Sequence, residues 1–268
     1  MKRAMVTGVS SGIGNATAKA LLADGWQVLG VSRTQPLLRH EHFRWAQTDV
    51  ALGYRVDQLS RFIEGGSLDA LVHAAAVQGP VGRLGKVDAV EWAGTVRANL
   101  IGAFHVVRLA LPYLRASDDG RIVLFSGGGA FGPRPNYSAY AASKAGVVAL
   151  METLAEEETS VTVNCVAPGF VPTPIHAASL EAGGGIIGRE EFARIRNAMA
   201  DDDGEALRRA VGCVQHLLSD ATKGLTGKTV SAEHDDWRAI GPLNVEGLND
   251  SPVWTRSRLP ASKPAALV

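Results

Sequence analysis

"TGVSSGIG", residues 7 to 14, follows the apolar run "RAMV" and opens a segment of helical period that ends near Asp24 and Gly25. Its glycines, Gly8, Gly12 and Gly14, let the main chain turn tightly and come close to a ligand. The free N–H groups at a helix start, with the helix dipole, hold negative charge. In isolation a glycine triplet is an ordinary strand-helix turn. In a strand-loop-helix setting it reads as a pyrophosphate cradle beside a dinucleotide.

Outward from this loop the same alternation repeats. Apolar runs at "WQVLGVS" (26–32), "FRWAQTD" (43–49), "LDALVHAAA" (68–76), "GRIVLFSG" (120–127), "VTVNCVAPG" (161–169) and "GKTVSA" (227–232) are separated by helical periods at 12–24, 56–63, 87–115, 138–158 and 205–219. Near-continuous Val, Ile and Leu strands alternating with helices predict an α/β protein. The expected fold is a Rossmann-type doubly wound parallel sheet of about seven strands in a three-layer αβα arrangement. A single NAD(P)-binding domain is expected over 1–232. Residues 172–204, rich in glycine and polar side chains after a strand end, are expected to form a substrate lid. Residues 233–268, with little apolar period, are a C-terminal arm or tail, packed or disordered.

Lys plus Arg equals Asp plus Glu, 27 against 27, so no global field favours nucleic acid or an anionic membrane. A small-molecule substrate is the expected partner. Cys165 and Cys213 are the two cysteines, without a C-x-x-C or clustered histidines, so no disulfide framework and no metal site is expected; "HEH" at 40–42 lacks further ligands. The basic start lacks the apolar core of a signal peptide and no run reaches a membrane span, which gives a cytoplasmic expectation.

"YAASK" places Tyr140 and Lys144 one helical turn apart, on one face. They are either a proton-transfer couple or two helix residues that happen to align, and only a cofactor would decide. With "TGVSSGIG", "TDV" (48–50), "LVHAAA" (71–76), "NLIGAFHV" (99–106) and "VNCVAPGFVPT" (163–173), the stretch resembles, in order and spacing, the short-chain dehydrogenase/reductase family, over about residues 3 to 232.

The resemblance implies site residues. Thr7, Gly8, Ser10, Ser11, Gly12, Ile13 and Gly14 would form the phosphate loop. Asp49 would bind the adenine with Val50 behind it, Ala74 and Ala75 would pack on the cofactor, and Pro168, Gly169, Val171 and Thr173 would hold the nicotinamide carboxamide. His73 and Ala76 depart from the family's N-N-A-G turn; His73 is a core-edge histidine or a ribose contact. Ser32 stands where NAD-specific members carry an acid, and Arg33 follows with a guanidinium suited to a 2'-phosphate. NADP(H) is thus favoured, with NAD(H) left open.

The resemblance makes Tyr140 the general acid/base. Lys144 would lower its pKa and bind ribose. Asn99 would anchor a relay water. The family's carbonyl-polarising serine is missing, because its position is Gly127. Ser126, one residue earlier, points to the opposite strand face unless a bulge in "SGGG" returns it. It is the expected carbonyl donor, with Ser138 or a backbone N–H as the substitute.

The expected activity is an NADP(H)-dependent oxidoreductase interconverting a ketone and a secondary alcohol on a small polar substrate. A dehydratase or epimerase on the same scaffold, or a silent NADP(H)-binding sensor, is the alternative. The apolar helices "FHVVRLALPYL" and "AGVVALMETLA" are core or, as the resemblance implies, subunit contacts of a homodimer or homotetramer.

Overall fold

A computed structural model describes residues 1–63, 66–252 and 254–256. In chain order come β1 (Arg3–Thr7), α1 (Gly12–Ala23), β2 (Gln27–Ser32), β3 (Phe43–Gln47), α2 (Gly53–Asp57), β4 (Ala70–His73), α3 (Ala89–Val96), a π turn (Arg97–Ile101), α4 (Gly102–Arg115) and β5 (Gly120–Phe125). Then follow α5 (Ser138–Glu157), β6 (Val161–Ala167), α6 (Ala177–Ala182), α7 (Gly184–Ile187), α8 (Arg189–Ala200), α9 (Glu205–Leu217), β7 (Thr229–Ser231) and α10 (Val245–Asn249). The sheet has seven strands in the order β3-β2-β1-β4-β5-β6-β7, every neighbouring pair parallel.

Successive side chains of a strand point to opposite faces, and both faces are covered. On one face Met5, Leu71, Ile122 and Leu124 pack with Val106, Ala110 and Leu114 of α4 and with Val147, Val148 and Met151 of α5. On the other, Ala4, Val6, Val72 and Val123 pack with Ala18, Leu21 and Leu22 of α1 and with Val214 and Leu217 of α9. This is the expected three-layer αβα fold. The strand order reverses between β1 and β4, the crevice where open α/β sheets bind ligands.

Residues 172–204, expected from the sequence to form a substrate lid, contain the helices α6, α7 and α8. Gly183 and Gly188, at φ 71° and 92°, break one from the next. The segment after β7 packs as an arm as far as Arg256. Trp237 and Ile240 are buried, Lys228 Nζ donates to the carbonyls of Asn249 and Ser251, and Arg256 pairs with Glu152. Residues 257–268 of the expected tail lie outside the described residues.

Candidate active site

A cavity of about 1000 Å³ lies at the carboxyl ends of the strands. One end is lined by Ser32, Arg33, Asp49 and Val50, the middle by Gly8, Ser10, Ser11, Gly12, Ile13, Gly14, Ala74 and Ala75, and the far end by Ser126, Tyr140, Pro168, Gly169, Val171 and Thr173. Thr7, Asn99 and Lys144 stand behind this wall, buried.

The middle is built by main chain meeting main chain. At Gly8, φ 76°, a Cβ would stand 2.9 Å from the Ala75 nitrogen, and at Gly14 one would stand 2.5 Å from the Gly8 carbonyl oxygen. Only glycine fits either place. Thr7 Oγ1 accepts the Ala75 N–H at 3.1 Å and pairs with His73 Nδ1 at 3.0 Å, tying β1 to β4. Ser11, at the cap of α1, makes no side-chain cap bond, and the first turn carries no acid. The first N–H groups of α1 are therefore left for an incoming anion. An elongated cavity with glycine-tight walls and an uncapped helix start fits a dinucleotide.

At the Arg33 end the Ser32 hydroxyl donates to the Thr34 carbonyl at 2.7 Å and accepts from Trp45 Nε1 at 2.9 Å, so its one proton is already committed. Arg33 is exposed. Asp49 Oδ1 accepts the Ala51 N–H at 3.0 Å, a local cap that leaves the other oxygen for a ligand. His73 is buried with Nε2 unpartnered, and burial pushes its pKa down to about 3, so it is a neutral core-edge histidine.

At the far end α5 carries both Tyr140 and Lys144. The Lys144 ammonium donates to the Phe125 carbonyl at 3.0 Å and stands 5.7 Å from the centre of the Tyr140 ring. Burial pushes Lys144 down to about 8, leaving it largely protonated at neutrality. Lys144 is expected from the sequence to lower the Tyr140 pKa. In the structure burial raises that pKa, and the cation opposing the rise is Arg134. Asn99 sits in the π turn; its Oδ1 accepts from Val77 N, and its Nδ2 donates to the Val77 carbonyl and to Ser143 Oγ.

The bulge expected to return Ser126 is absent. β5 pairs one-to-one with β6 through Phe125 and Val166, and the Ser126 N–H continues onto the Val166 carbonyl. Ser126 Oγ is closed to solvent and has no partner. A Cβ at Gly127, by contrast, would stand 2.7 Å from the Tyr140 hydroxyl. Strand alternation thus aims position 127, not 126, at the phenol. Ser138 is engaged elsewhere, its Oγ accepting from Trp92 Nε1 at 3.1 Å.

Several residues of this end carry no sequence signal. Arg134 of "GPRPNY" puts its guanidinium over the Tyr137 ring at 4.3 Å and near the Tyr140 ring at 5.6 Å. Tyr137 and Ser179 hydroxyls meet at 3.0 Å, Ser179 Oγ donates to Gln78 Oε1 at 2.7 Å, and His176 stacks on Phe170. This chain ties the loops after β4 and β5 to α6. No spacing rule links residues 78, 137 and 179; the fold alone brings them together.

The family model for short chain dehydrogenases matches residues 2–183. A D-beta-hydroxybutyrate dehydrogenase of Cupriavidus necator is 31% identical over 194 residues, covering 68% of this chain and 75% of its own. A cis-4-hydroxycyclohexanecarboxylate dehydrogenase of Sinomonas cyclohexanicum is 35% identical over 189 residues, covering 65% and 75%. Among solved structures, a short chain dehydrogenase/reductase of Saccharomyces cerevisiae superposes with a TM-score of 0.78 at 25% identity, covering 90% of this chain and 100% of its own.

Proposed function

The chain belongs to the short chain dehydrogenase family, oxidoreductases acting on CH–OH groups, and from that premise we propose that it interconverts a ketone and a secondary alcohol with NADP(H) in preference to NAD(H). Bound, the nicotinamide would supply or accept the hydride. The loop Gly8–Gly14 and the start of α1 hold the pyrophosphate, and Arg33 meets the 2'-phosphate in a place without an acid. Asp49 and Val50 bound the adenine. Ala74 and Ala75 flank the cofactor, and Pro168, Gly169, Val171 and Thr173 orient the nicotinamide end.

Tyr140 moves the proton to and from the substrate oxygen. Arg134 opposes the rise that burial imposes on the phenol, and Lys144, cationic at neutral pH and one turn away, binds ribose. The side chain of Asn99 is taken up within the protein, so the relay water falls to its main-chain carbonyl, in a π turn that disrupts the regular helical bonding. The named substrates of the two hydroxy-acid relatives are secondary alcohols, which supports the reaction class.

The observation that carries the proposal is the Tyr140 hydroxyl set against Gly127, in the same cavity as the Gly8–Gly14 loop. Stopped-flow absorbance with NADPH, NADH and a panel of small ketones tests it. Oxidation of NADPH by at least one ketone, faster than of NADH, is expected. Tight NADPH binding with no oxidation by any ketone would instead make the protein a sensor.

A further inference from the structure

The loop after β5 and the start of α5 bring Arg134 as well as Tyr140 to the far end of the cavity. The position of Arg134 is prepared by its neighbours. It lies between Pro133 and Pro135, and a residue before proline is confined to extended backbone. Asn136 then turns the chain at φ 69°, its carbonyl held by the Gly82 N–H at 2.8 Å. The guanidinium lies on the Tyr137 ring, whose hydroxyl is fixed by Ser179. A Cβ at Gly128 would stand 2.5 Å from Arg134 Nη1, so the consecutive glycines 127 and 128 clear space for the phenol and for the guanidinium side by side.

Among the described residues no carboxylate pairs directly with Arg134, although Glu191 feels its charge. Glu191, the nearby carboxylate, is gripped through both oxygens by Arg194 at 2.8 Å each, and Arg194 is stacked on Phe170. His176 is neutral near pH 7, because burial holds its pKa down to about 4. Among the described residues the Arg134 guanidinium has no ion pair and no side-chain hydrogen bond. A planar cation kept in place by an aromatic face, with its donors unused and open to a substrate cavity, matches a carboxylate in shape and charge.

We propose that Arg134 anchors a carboxylate of the substrate, so that the enzyme acts on short keto and hydroxy acids whose carboxylate lies a few carbons from the reacting carbon. The short span follows from the guanidinium carbon lying 5.6 Å from the centre of the Tyr140 ring. This deepens the reductase reading and rests on it for the identity of the reacting group.

The test compares acetoacetate and 4-oxocyclohexanecarboxylate with their methyl esters, in the full chain with NADPH, for wild type, Arg134→Gln and Arg134→Lys. The readout is the acid-to-ester ratio of kcat/KM, because Arg134 also lies beside Tyr140 and its loss can slow both substrates. Wild type is expected to favour an acid by about 10- to 100-fold, the range of charge-assisted hydrogen bonds. Arg134→Gln should bring the ratio near one, chiefly through KM on the acid, and Arg134→Lys should restore part of it. A wild-type ratio near one, or an unchanged ratio in Arg134→Gln, overturns the anchor while leaving a reductase.

Calorimetric binding of cyclohexanecarboxylate, which has no carbonyl to reduce, gives an independent arm. Binding weakened about tenfold or more in Arg134→Gln supports the anchor even if no ketone is turned over, in which case it is the reductase reading that fails. Binding that is absent, or equal in both proteins, overturns the anchor.

Discussion

Gly127 and Tyr140 account for each other: the phenol stands in the space that a side chain at 127 would need. The neighbouring hydroxyl, on Ser126, has no exposed surface and no hydrogen-bond partner, although the residue lines the cavity. Ser126→Ala is therefore expected to lower kcat by less than about threefold, whereas loss of a true carbonyl donor costs about 10² to 10³. Steady-state kinetics that found the larger loss would return the donor role to Ser126. The departure at 127 was legible in the sequence, since the count back from Tyr140 lands on glycine. Arg134 was not, because a lone arginine between prolines has no period or motif, and its meaning comes from Tyr137, Gly128 and the pairing of Arg194 with Glu191.

At the scale of elements, α1, α4, α5 and all seven strands were readable from Val, Ile and Leu runs alternating with helical periods. The long segment 87–115 hid a division: α3, the π turn carrying Asn99, and α4 share one apolar period, and only the widened turn separates them. Residues 172–204 were readable as an insertion but not as helices, because α6 and α7 are too short to show a period and glycines interrupt them. On the outer side of the π turn and α4, Ile101 and Phe104 stay 41% and 47% exposed although both are large and apolar. We propose that this face meets a second copy of the chain. Light scattering should then give a dimer or tetramer mass, and Phe104→Glu should shift it toward monomer. A monomer mass for the unaltered protein would contradict the pairing.

For the whole molecule, two buried histidines set a pH dependence. His73 and His176 have pKa values near 3 and 4 in the folded chain, against 6.5 for an ordinary histidine. Below pH 6.5 the unfolded chain binds protons that the folded chain refuses, so stability falls as pH drops from 6.5 toward 4. Each such group contributes about 1.4 kcal/mol per pH unit once titration is complete. Urea unfolding from pH 7 to 4.5 should show His73→Gln losing stability less steeply than wild type by about that slope. Parallel curves would mean that His73 is protonated or exposed in the native state.

These features converge on a phenol that exchanges the substrate's proton at one end of a nucleotide-lined crevice. The most direct measurement is kcat for Tyr140→Phe, in protein that still binds NADPH, on whichever ketone the wild type reduces fastest. Removing the hydroxyl is expected to lower kcat by at least about 10²-fold, the low end of what a positioned acid or base contributes. A kcat within about threefold of wild type would contradict the assignment of Tyr140, and with it the chemistry proposed for this cavity.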